Sequence, residues 1–270
     1  MSPRLAVVGH VEWVTFARAA EVPAAGGIVH LADPVDQPGG GGAATALALA
    51  GMGADVTLFT ALGGDVPAAE VLKAGGVRVL AAHRDHPQTR VLAVVDGGGE
   101  RTLFVVGEND HPTADDPLPW SHLGGMDGVY FTGRDPRTLV LARQARTLVV
   151  TARRFDSLVA GGVSADALVG SGSDPSERFD LARLSRPPAH VIVTDGARGG
   201  TVDGRRYAAV PPASAVVDTY AAGDTFVAGV LFGLATGLDI GDTVRFAAAA
   251  ASAALTRRGC LPEPPAGRPC

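Results

Sequence analysis

Lysine is almost missing from this chain. Of its 23 basic residues only Lys73 is a lysine, and the other 22 are arginines. No G-x-x-x-x-G-K-[ST] stretch exists, which excludes a Walker-type phosphate loop. A Schiff-base or pyridoxal lysine would have to be Lys73, and AAEVLKAGGVRV reads as a surface helix end, the wrong setting for one. Cysteine is as scarce: Cys260 and Cys270 lie near the C-terminus with no C-x-x-C. That excludes a disulfide framework and a zinc or redox pair. Positive charge is in deficit, at a formal net charge of -5, which argues against a nucleic-acid binder held by phosphate contacts. Long hydrophobic runs are also lacking. The Ala-rich run Phe246–Leu255 comes nearest and is too short to span a bilayer. The opening MSPRLAVVGHVEW has no charged n-region, apolar h-region and cleavage site in series. The expectation is a soluble cytoplasmic protein with no membrane or nucleic-acid partner.

What is present is an apolar fraction of 46% in 270 residues, enough for a real core and too much for wholesale disorder. The 36 glycines show no period of three, so collagen is excluded. The length fits one large α/β domain, alone or with a small appendage.

Arg4–Gly9 is a short apolar run ending in Gly, as in a buried parallel strand. Thr45–Met52 reads as a helix, Asp55–Leu62 as a strand, Pro67–Ala74 as a helix and Val77–Ala81 as a strand. This βαβ rhythm predicts a mostly parallel sheet with helices on its faces. Two stretches break it. Thr89–Asp96 and Glu100–Val106 are β-rich runs joined by Gly97-Gly98-Gly99, an antiparallel hairpin. The segment 11–34 is also extended and punctuated by Pro and Gly. Together they suggest a small sheet standing off the main body. The rhythm then resumes with strands at Gly128–Thr132, Thr147–Thr151 and Val191–Thr194, and helices at Pro136–Ala145, Thr225–Gly237 and Asp242–Thr256. The division that follows is 1–10, 35–88 and 107–262 for the body, 11–34 and 89–106 for the small sheet, and a Pro-rich tail over 263–270.

The most informative stretch is VVDTYAAGDTF, Val216 to Phe226. A strand-like run gives way to small residues that open a helix with apolar positions at Phe226, Val227, Val230, Leu231 and Leu234. Ala221, Ala222 and Gly223 then present free backbone N–H groups at a helix N-terminus, an anion site favoured by geometry and dipole. Asp224 sits beside it, ionised at pH 7 at its reference pKa and able to take a proton from an alcohol. An anion hole next to a carboxylate base is what phosphoryl transfer to a hydroxyl requires. The segment by itself equally allows Asp224 to be a helix N-cap.

DTYAAGDTFVAG resembles the C-terminal signature of the ribokinase (PfkB) family of sugar and nucleoside kinases. The stretch from Arg245 to Gly259 resembles that family's following helix and loop. Gly39-Gly40-Gly41-Gly42-Ala43 with LALAGMGADVTLFTALGGD resembles its di-glycine signature, and VIVTDGARG its nucleotide-side strand and turn. The likeness runs from Leu5 to about Pro262, with the motifs in order. It implies an α/β, three-layer α/β/α ribokinase-like fold with a mostly parallel central sheet and a small β-sheet lid that shuts over the sugar. It implies an ATP-dependent kinase acting on a hydroxymethyl group of a small sugar or sugar derivative, with Asp224 as base and Ala221, Ala222 and Gly223 as anion hole. Substrate contacts would come from Glu12, Asp224 and the run Gly39, Gly40, Gly41 and Gly42. Thr194, Gly196, Gly199, Gly223 and Ala248 would line the ATP site. A K+ site would match Asp218, Tyr220, Ala254, Arg257 and Gly259, and Mg2+ would arrive with ATP. A homodimer through the lid fits the same family pattern. A nucleoside kinase and a non-catalytic ligand-binding module are the alternative readings.

The chain also departs from the family. Glu12 and Val14 stand where ribokinase grips its sugar with Asn and Asp. The usual Asn of the di-glycine motif falls at Ala44, and an acidic residue near the substrate aligns to Gly133. These losses argue against ribose as acceptor. Trp13 reads either as a stacking platform for a sugar or base, or as a core residue at the lid hinge. The family's N-x-x-E stretch aligns to Ser171-Gly172-Ser173-Asp174, leaving Asp174 for the Mg2+ network. Arg90 and Arg101 read as solvated strand-face residues or as contacts to an anionic acceptor. Asp65 reads as a turn residue as readily as a functional one. The seven histidines, His10 and His111 among them, show no metal-ligand spacing.

Overall fold

Strands that are apolar at every position, such as LAVV at 5–8, are buried on both faces and need helices on each side. The computed structural model describes residues 2–97 and 101–261. In chain order the elements are β1 (Arg4–Val8), β2 (Glu12–Arg18), β3 (Ala32–Gly39), α1 (Gly40–Gly51), β4 (Asp55–Gly63), α2 (Ala68–Ala74), β5 (Val77–Arg84), β6 (Arg90–Val95) and β7 (Arg101–Val106). They continue as β8 (Gly128–Phe131), α3 (Pro136–Ala142), β9 (Thr147–Thr151), α4 (Phe155–Gly161), β10 (Ala167–Ser171), β11 (His190–Thr194), β12 (Gly200–Val202), β13 (Arg205–Tyr207), α5 (Ala222–Thr236) and α6 (Ile240–Ala254).

Among the described residues the larger sheet runs β13-β12-β11-β10-β9-β8-β1-β4-β5. It is parallel from β11 to β5, with β12 and β13 added antiparallel at one edge. Alternate side chains go to opposite faces. Leu5 and Val7 join a core that takes in Leu47 of α1, Phe226 and Leu231 of α5 and Val244 of α6. Ala6 and Val8 join a second core with Leu139 of α3 and Leu158 of α4. The result is the three-layer α/β/α arrangement. Ala247 of α6 packs tightly: a Cβ on Gly229 of α5 would lie 2.6 Å from the Ala247 Cα. The two helices therefore cross in backbone contact.

The smaller sheet runs β3-β2-β6-β7. The 90–106 hairpin is antiparallel, with Arg90 opposite Val106, while β2 and β6 pair in parallel from Trp13↔Arg90. Gly98, Gly99 and Glu100 of the turn, and the tail from Pro262 with Cys270, lie outside the described residues. Strand β3 runs through to Gly39, so the small sheet takes in residues 35–39 as well, which the sequence had placed in the body. Leu103, Phe104, Val105 and Val106 of the edge strand β7 are exposed.

Three differences from the expected elements have plain causes. α4 and β10 were hidden by the Gly- and Ser-rich surroundings of 161–173, which mask a five-residue strand. β12 and β13 are three residues each, too short for a period-two pattern. α5 starts at Ala222 rather than Thr225, because the small residues of AAGD already form its first turn. No helix among the described residues is long and apolar enough to cross a membrane.

Candidate active site

Loops at the carboxyl ends of a parallel sheet are where ligands bind in open α/β folds. Here those ends deliver His10 and Glu12 after β1, Thr132 after β8, Arg153 and Arg154 after β9, Asp174 and Glu177 after β10 and Thr194 at the end of β11. The first turns of α1 and α5 meet them.

Helix α5 begins without a side-chain cap. Its N-cap is Ala221, held at φ 60, an uncommon backbone for a residue with a Cβ. The first intrahelical bond runs from the Thr225 N–H to the Ala221 carbonyl, which leaves the N–H groups of Ala222, Gly223 and Asp224 without helical acceptors. Asp224 sits two residues inside the first helical turn position and is not the cap, so the N-cap reading of this residue falls. Its half-buried carboxylate makes no hydrogen bond or ion pair to another described residue. Burial pushes its pKa up, while His10 and then Arg101 pull it back. A Cβ on Gly41 would lie 3.5 Å from Asp224 Oδ1, 3.3 Å from Thr132 Oγ1 and 3.7 Å from His10 Cε1. These three side chains converge on the bare backbone of Gly41.

On one side of α5 lies a cleft of about 720 Å³, within the range of small-molecule sites. Thr194, Gly196, Gly199, Gly223 and Ala248 all line it, together with Tyr207, Phe226 and Leu255. Tyr207 stacks on Phe226 with ring centroids 6.0 Å apart, and burial pushes its phenol pKa to about 12.

On the other side, the four expected substrate glycines divide. Gly41 faces Asp224, while the Gly40 N–H donates to the Tyr220 hydroxyl at 3.0 Å and the Gly42 N–H donates to the His10 carbonyl at 3.0 Å. Gly39 packs against Val14 and Tyr220. Glu12 stays in the site, its Oε1 3.5 Å from His10 Nε2. Trp13 does not: it is buried in the core with Val14, and the stacking reading is overturned. Positions 13, 14, 16 and 17 of β2 are all buried, and Trp13 goes inward with them.

The lid arginines separate too. Arg90 is tied to Asp65 at 2.8 Å, and Asp65 also accepts from the Gln88 N–H at 2.7 Å, so Asp65 braces the lid hinge. Arg101 reaches from β7 to Thr219 Oγ1 at 3.4 Å and lies 5.6 Å from the centroid of the Tyr220 ring. The lid thereby touches the loop that opens α5.

Asp218 is buried and joins two segments: Oδ1 accepts from the Tyr220 N–H at 2.8 Å and Oδ2 from the Gly259 N–H at 3.0 Å. It makes no ion pair with a described side chain. Ala254 and Arg257 belong to the same corner, the Arg257 N–H donating to the Ala254 carbonyl at 3.3 Å. A buried carboxylate without a counter-ion, among backbone carbonyls, has the donor chemistry of a monovalent cation site. Asp174 fits a metal less well. Arg153 pairs with it at 2.5 Å and with Glu177 at 2.9 Å, and Glu177 also accepts from the Ser171 N–H at 2.7 Å. Among the described residues no group of three His, Cys, Asp or Glu is placed to hold a metal ion.

Sequence reasoning missed His10, His111, Thr132, Arg154 and Glu177. His10 and His111 pack with tilted rings, centroids 4.8 Å apart. Burial, then the neighbouring charges, push the His111 pKa to about 2. A folded-state pKa below the unfolded value of about 6.5 means that the unfolded chain takes up this proton first. Stability is therefore complete above pH 6.5 and falls steadily as pH drops below it. Urea titrations should show a loss of about 2 kcal/mol from this one group between pH 6.5 and 5, and a shallower slope in His111→Gln. An equal slope in both proteins would refute the burial of a neutral imidazole.

The comparisons with known proteins bear on the family and the fold. The model of the pfkB family of carbohydrate kinases matches residues 2–157 and 165–266. An ATP-dependent ribose-1-phosphate kinase of Halopiger xanaduensis is 27% identical over 285 aligned positions, covering 97% of this chain and 95% of that protein. An acarbose 7(IV)-phosphotransferase of an Actinoplanes species is 46% identical over 72 residues, 24% of each chain. Among solved structures, phosphofructokinase-2 of Escherichia coli superposes with a TM-score of 0.77 at 20% identity, covering 96% of this chain and 95% of that one. Arabidopsis thaliana ribokinase, complexed with ribose and ATP, gives 0.72 at 20% identity, with 97% and 96% covered. With a family model spanning both sheets and the α5 loop, the chain belongs to the pfkB family of carbohydrate kinases, and its fold is the ribokinase fold.

Proposed function

We propose that this enzyme transfers the γ-phosphoryl group of ATP to a hydroxymethyl group of a small sugar or sugar derivative. One observation carries the reading: the unpaired Asp224 carboxylate at the uncapped start of α5, with the 720 Å³ cleft on one side and Gly41, His10 and Thr132 on the other. Asp224 takes the proton of the attacking hydroxyl. The N–H groups of the Ala221-Ala222-Gly223 turn, with the helix dipole behind them, stabilise the charge on the transferring group. Arg101 adds a positive charge from the lid side, and closure of the lid excludes water, a competing acceptor. The nucleotide lies along Thr194, Gly196, Gly199 and Ala248.

Mg2+, when bound, would neutralise charge on the phosphates and would arrive with the nucleotide. K+, where used, would be held by oxygens of the Asp218–Tyr220 and Ala254–Gly259 segments. The two sequence relatives are named for sugar acceptors, which favours a sugar over a free nucleobase as the recognised part. An ADP-release screen over pentoses, hexoses, their phosphates and nucleosides, run in K+ and in choline salts, tests the reading. The expected result is acceptor-dependent ADP release. ATP hydrolysis without acceptor dependence, or ligand binding with no turnover, would return the chain to a non-catalytic module.

A further inference from the structure

A large aromatic side chain, Tyr220, stands directly before the small residues Ala221, Ala222 and Gly223 that open α5. It is 7% exposed, and it joins three parts of the site that are far apart in the chain. Its hydroxyl accepts the Gly40 N–H at 3.0 Å. Its ring meets Phe16 of lid strand β2 in a T-shaped contact, with centroids 4.8 Å apart and planes at 88°. Arg101 of lid strand β7 lies over the same ring. Edge-to-face aromatic pairs and cation–ring contacts are directional as well as favourable, so the ring fixes where both strands rest.

The backbone around the ring is pinned. The Tyr220 N–H donates to Asp218 Oδ1 at 2.8 Å, and Ala221 follows at φ 60. Gly39 is the complement of the ring, since a Cβ there would overlap the Tyr220 hydroxyl. Gly40, at φ 79, has His10 Nε2 and Glu12 Cγ each 3.1 Å from where a Cβ would lie. Gly41, the next residue, faces Asp224, Thr132 and His10. One hydrogen bond from Tyr220 therefore sets the Gly40–Gly41 backbone against the carboxylate. The nucleotide cleft takes Thr219 and Ala222 into its lining but not Tyr220. The ring serves the acceptor and lid side alone.

We propose that Tyr220 is a positioning residue for phosphoryl transfer. Its hydroxyl holds the Gly40–Gly41 backbone at the working distance from Asp224, and its ring is the seat on which β2 and β7 of the lid rest over the α5 turn. Because one side chain does both, the acceptor side is complete only while the lid is seated. Placement at this scale matters for rate, as a misplacement of about 1 Å can cost roughly a hundredfold. The proposal rests on the reading of Asp224 as the base.

The test uses two variants of the full chain. Tyr220→Phe keeps the ring and loses the hydroxyl, while Tyr220→Leu loses both. Hydrogen exchange without ligand is the first readout. In Tyr220→Phe the Gly40 amide should exchange about tenfold faster, with the lid strands unchanged. In Tyr220→Leu residues 12–18 and 101–106 should also exchange several-fold faster, with the core strand 5–8 unchanged. Kinetics is the second, with the sugar that wild type phosphorylates fastest in the acceptor screen. Its kcat/KM should fall about tenfold in Tyr220→Phe and about a hundredfold in Tyr220→Leu. The affinity for a non-hydrolysable ATP analogue, read by calorimetry, should stay within about twofold of wild type, since Tyr220 is outside the cleft. A merely structural tyrosine would weaken the nucleotide and acceptor sides together. Such a parallel loss, or a Gly40 amide unmoved in Tyr220→Phe, overturns the proposal. Should Tyr220→Leu fail to fold, Tyr220→Phe carries the test. Should wild type turn over no sugar, the Asp224 reading falls, and the exchange pattern and nucleotide affinity decide the place of Tyr220 by themselves.

Discussion

Replacing Asp224 by Asn should lower kcat by about a thousandfold, with ATP binding retained, since a positioned general base contributes roughly 10²–10⁴. The substitution keeps the shape and removes only the proton acceptor. A pH profile makes the assignment sharper. Burial raises the Asp224 pKa from its ordinary value, and the base works only when deprotonated. Wild-type kcat/KM should therefore fall as pH drops through that raised value, on an acid limb at higher pH than an exposed Asp would give, and Asp224→Asn should lack the limb. The same shift predicts a stability gain. A carboxyl with a folded pKa above its unfolded value is destabilising at neutral pH, where it must ionise while buried. The Asn variant should melt at a higher temperature than wild type at pH 7. Near-wild-type turnover, or a variant that keeps the limb, would remove Asp224 from the mechanism.

Gly42→Ala should damage the acceptor side of the site severely. A Cβ there would overlap the His10 carbonyl oxygen and lie 2.8 Å from the Gly9 carbonyl carbon and 3.0 Å from the His10 nitrogen. All three are backbone atoms, which cannot swing aside as a side chain can. The contact also carries the hydrogen bond from the Gly42 N–H to the His10 carbonyl, which joins the start of α1 to the loop after β1. A loss of about 3 kcal/mol is expected, roughly 6–10 °C in Tm for a chain of this size. Activity should fall further than stability explains, because His10 and Glu12 sit on the displaced loop. Gly51→Ala is the control: at the other end of the same helix a Cβ would meet nothing within 4 Å, so its effect should be small. A Gly42→Ala protein within 0.5 kcal/mol of wild type by the usual surface standard would show that the loop can yield.

The site residues that were legible in the sequence have one property in common. Asp224 and the small residues before it announce their chemistry through a local pattern, because an uncapped helix start and an adjacent carboxylate are neighbours in the chain. The nucleotide-side residues were legible for the same reason, Thr194, Gly196 and Gly199 lying within one strand and turn. His10, Thr132 and Arg154 carry no such pattern. Each is a polar residue one to three positions past the end of an apolar strand, and only the parallel order of β1, β8 and β9 brings those three ends together. The signal that would have found them is position: the first polar side chains beyond a buried parallel strand face the ligand edge. Trp13 shows the converse: its residue type left stacking and core burial both open, and the packing of β2 put it in the core.

Composition, the βαβ rhythm and the DTYAAGDTF stretch thus determined the fold class, the absence of a lysine phosphate loop and the place of the uncapped α5 start, since these are properties of residues near in sequence. The lone lysine also keeps its meaning: a phosphate bound at this site would have backbone N–H groups and arginine to meet it. Which arginines, the tertiary structure alone decided. Arg90, Arg137, Arg143 and Arg153 are absorbed by carboxylates brought to them by the packing, whereas Arg101 and Arg154 are not. A charge is free or spent according to its neighbours in space, and those neighbours are set by how the strands are ordered in the sheet.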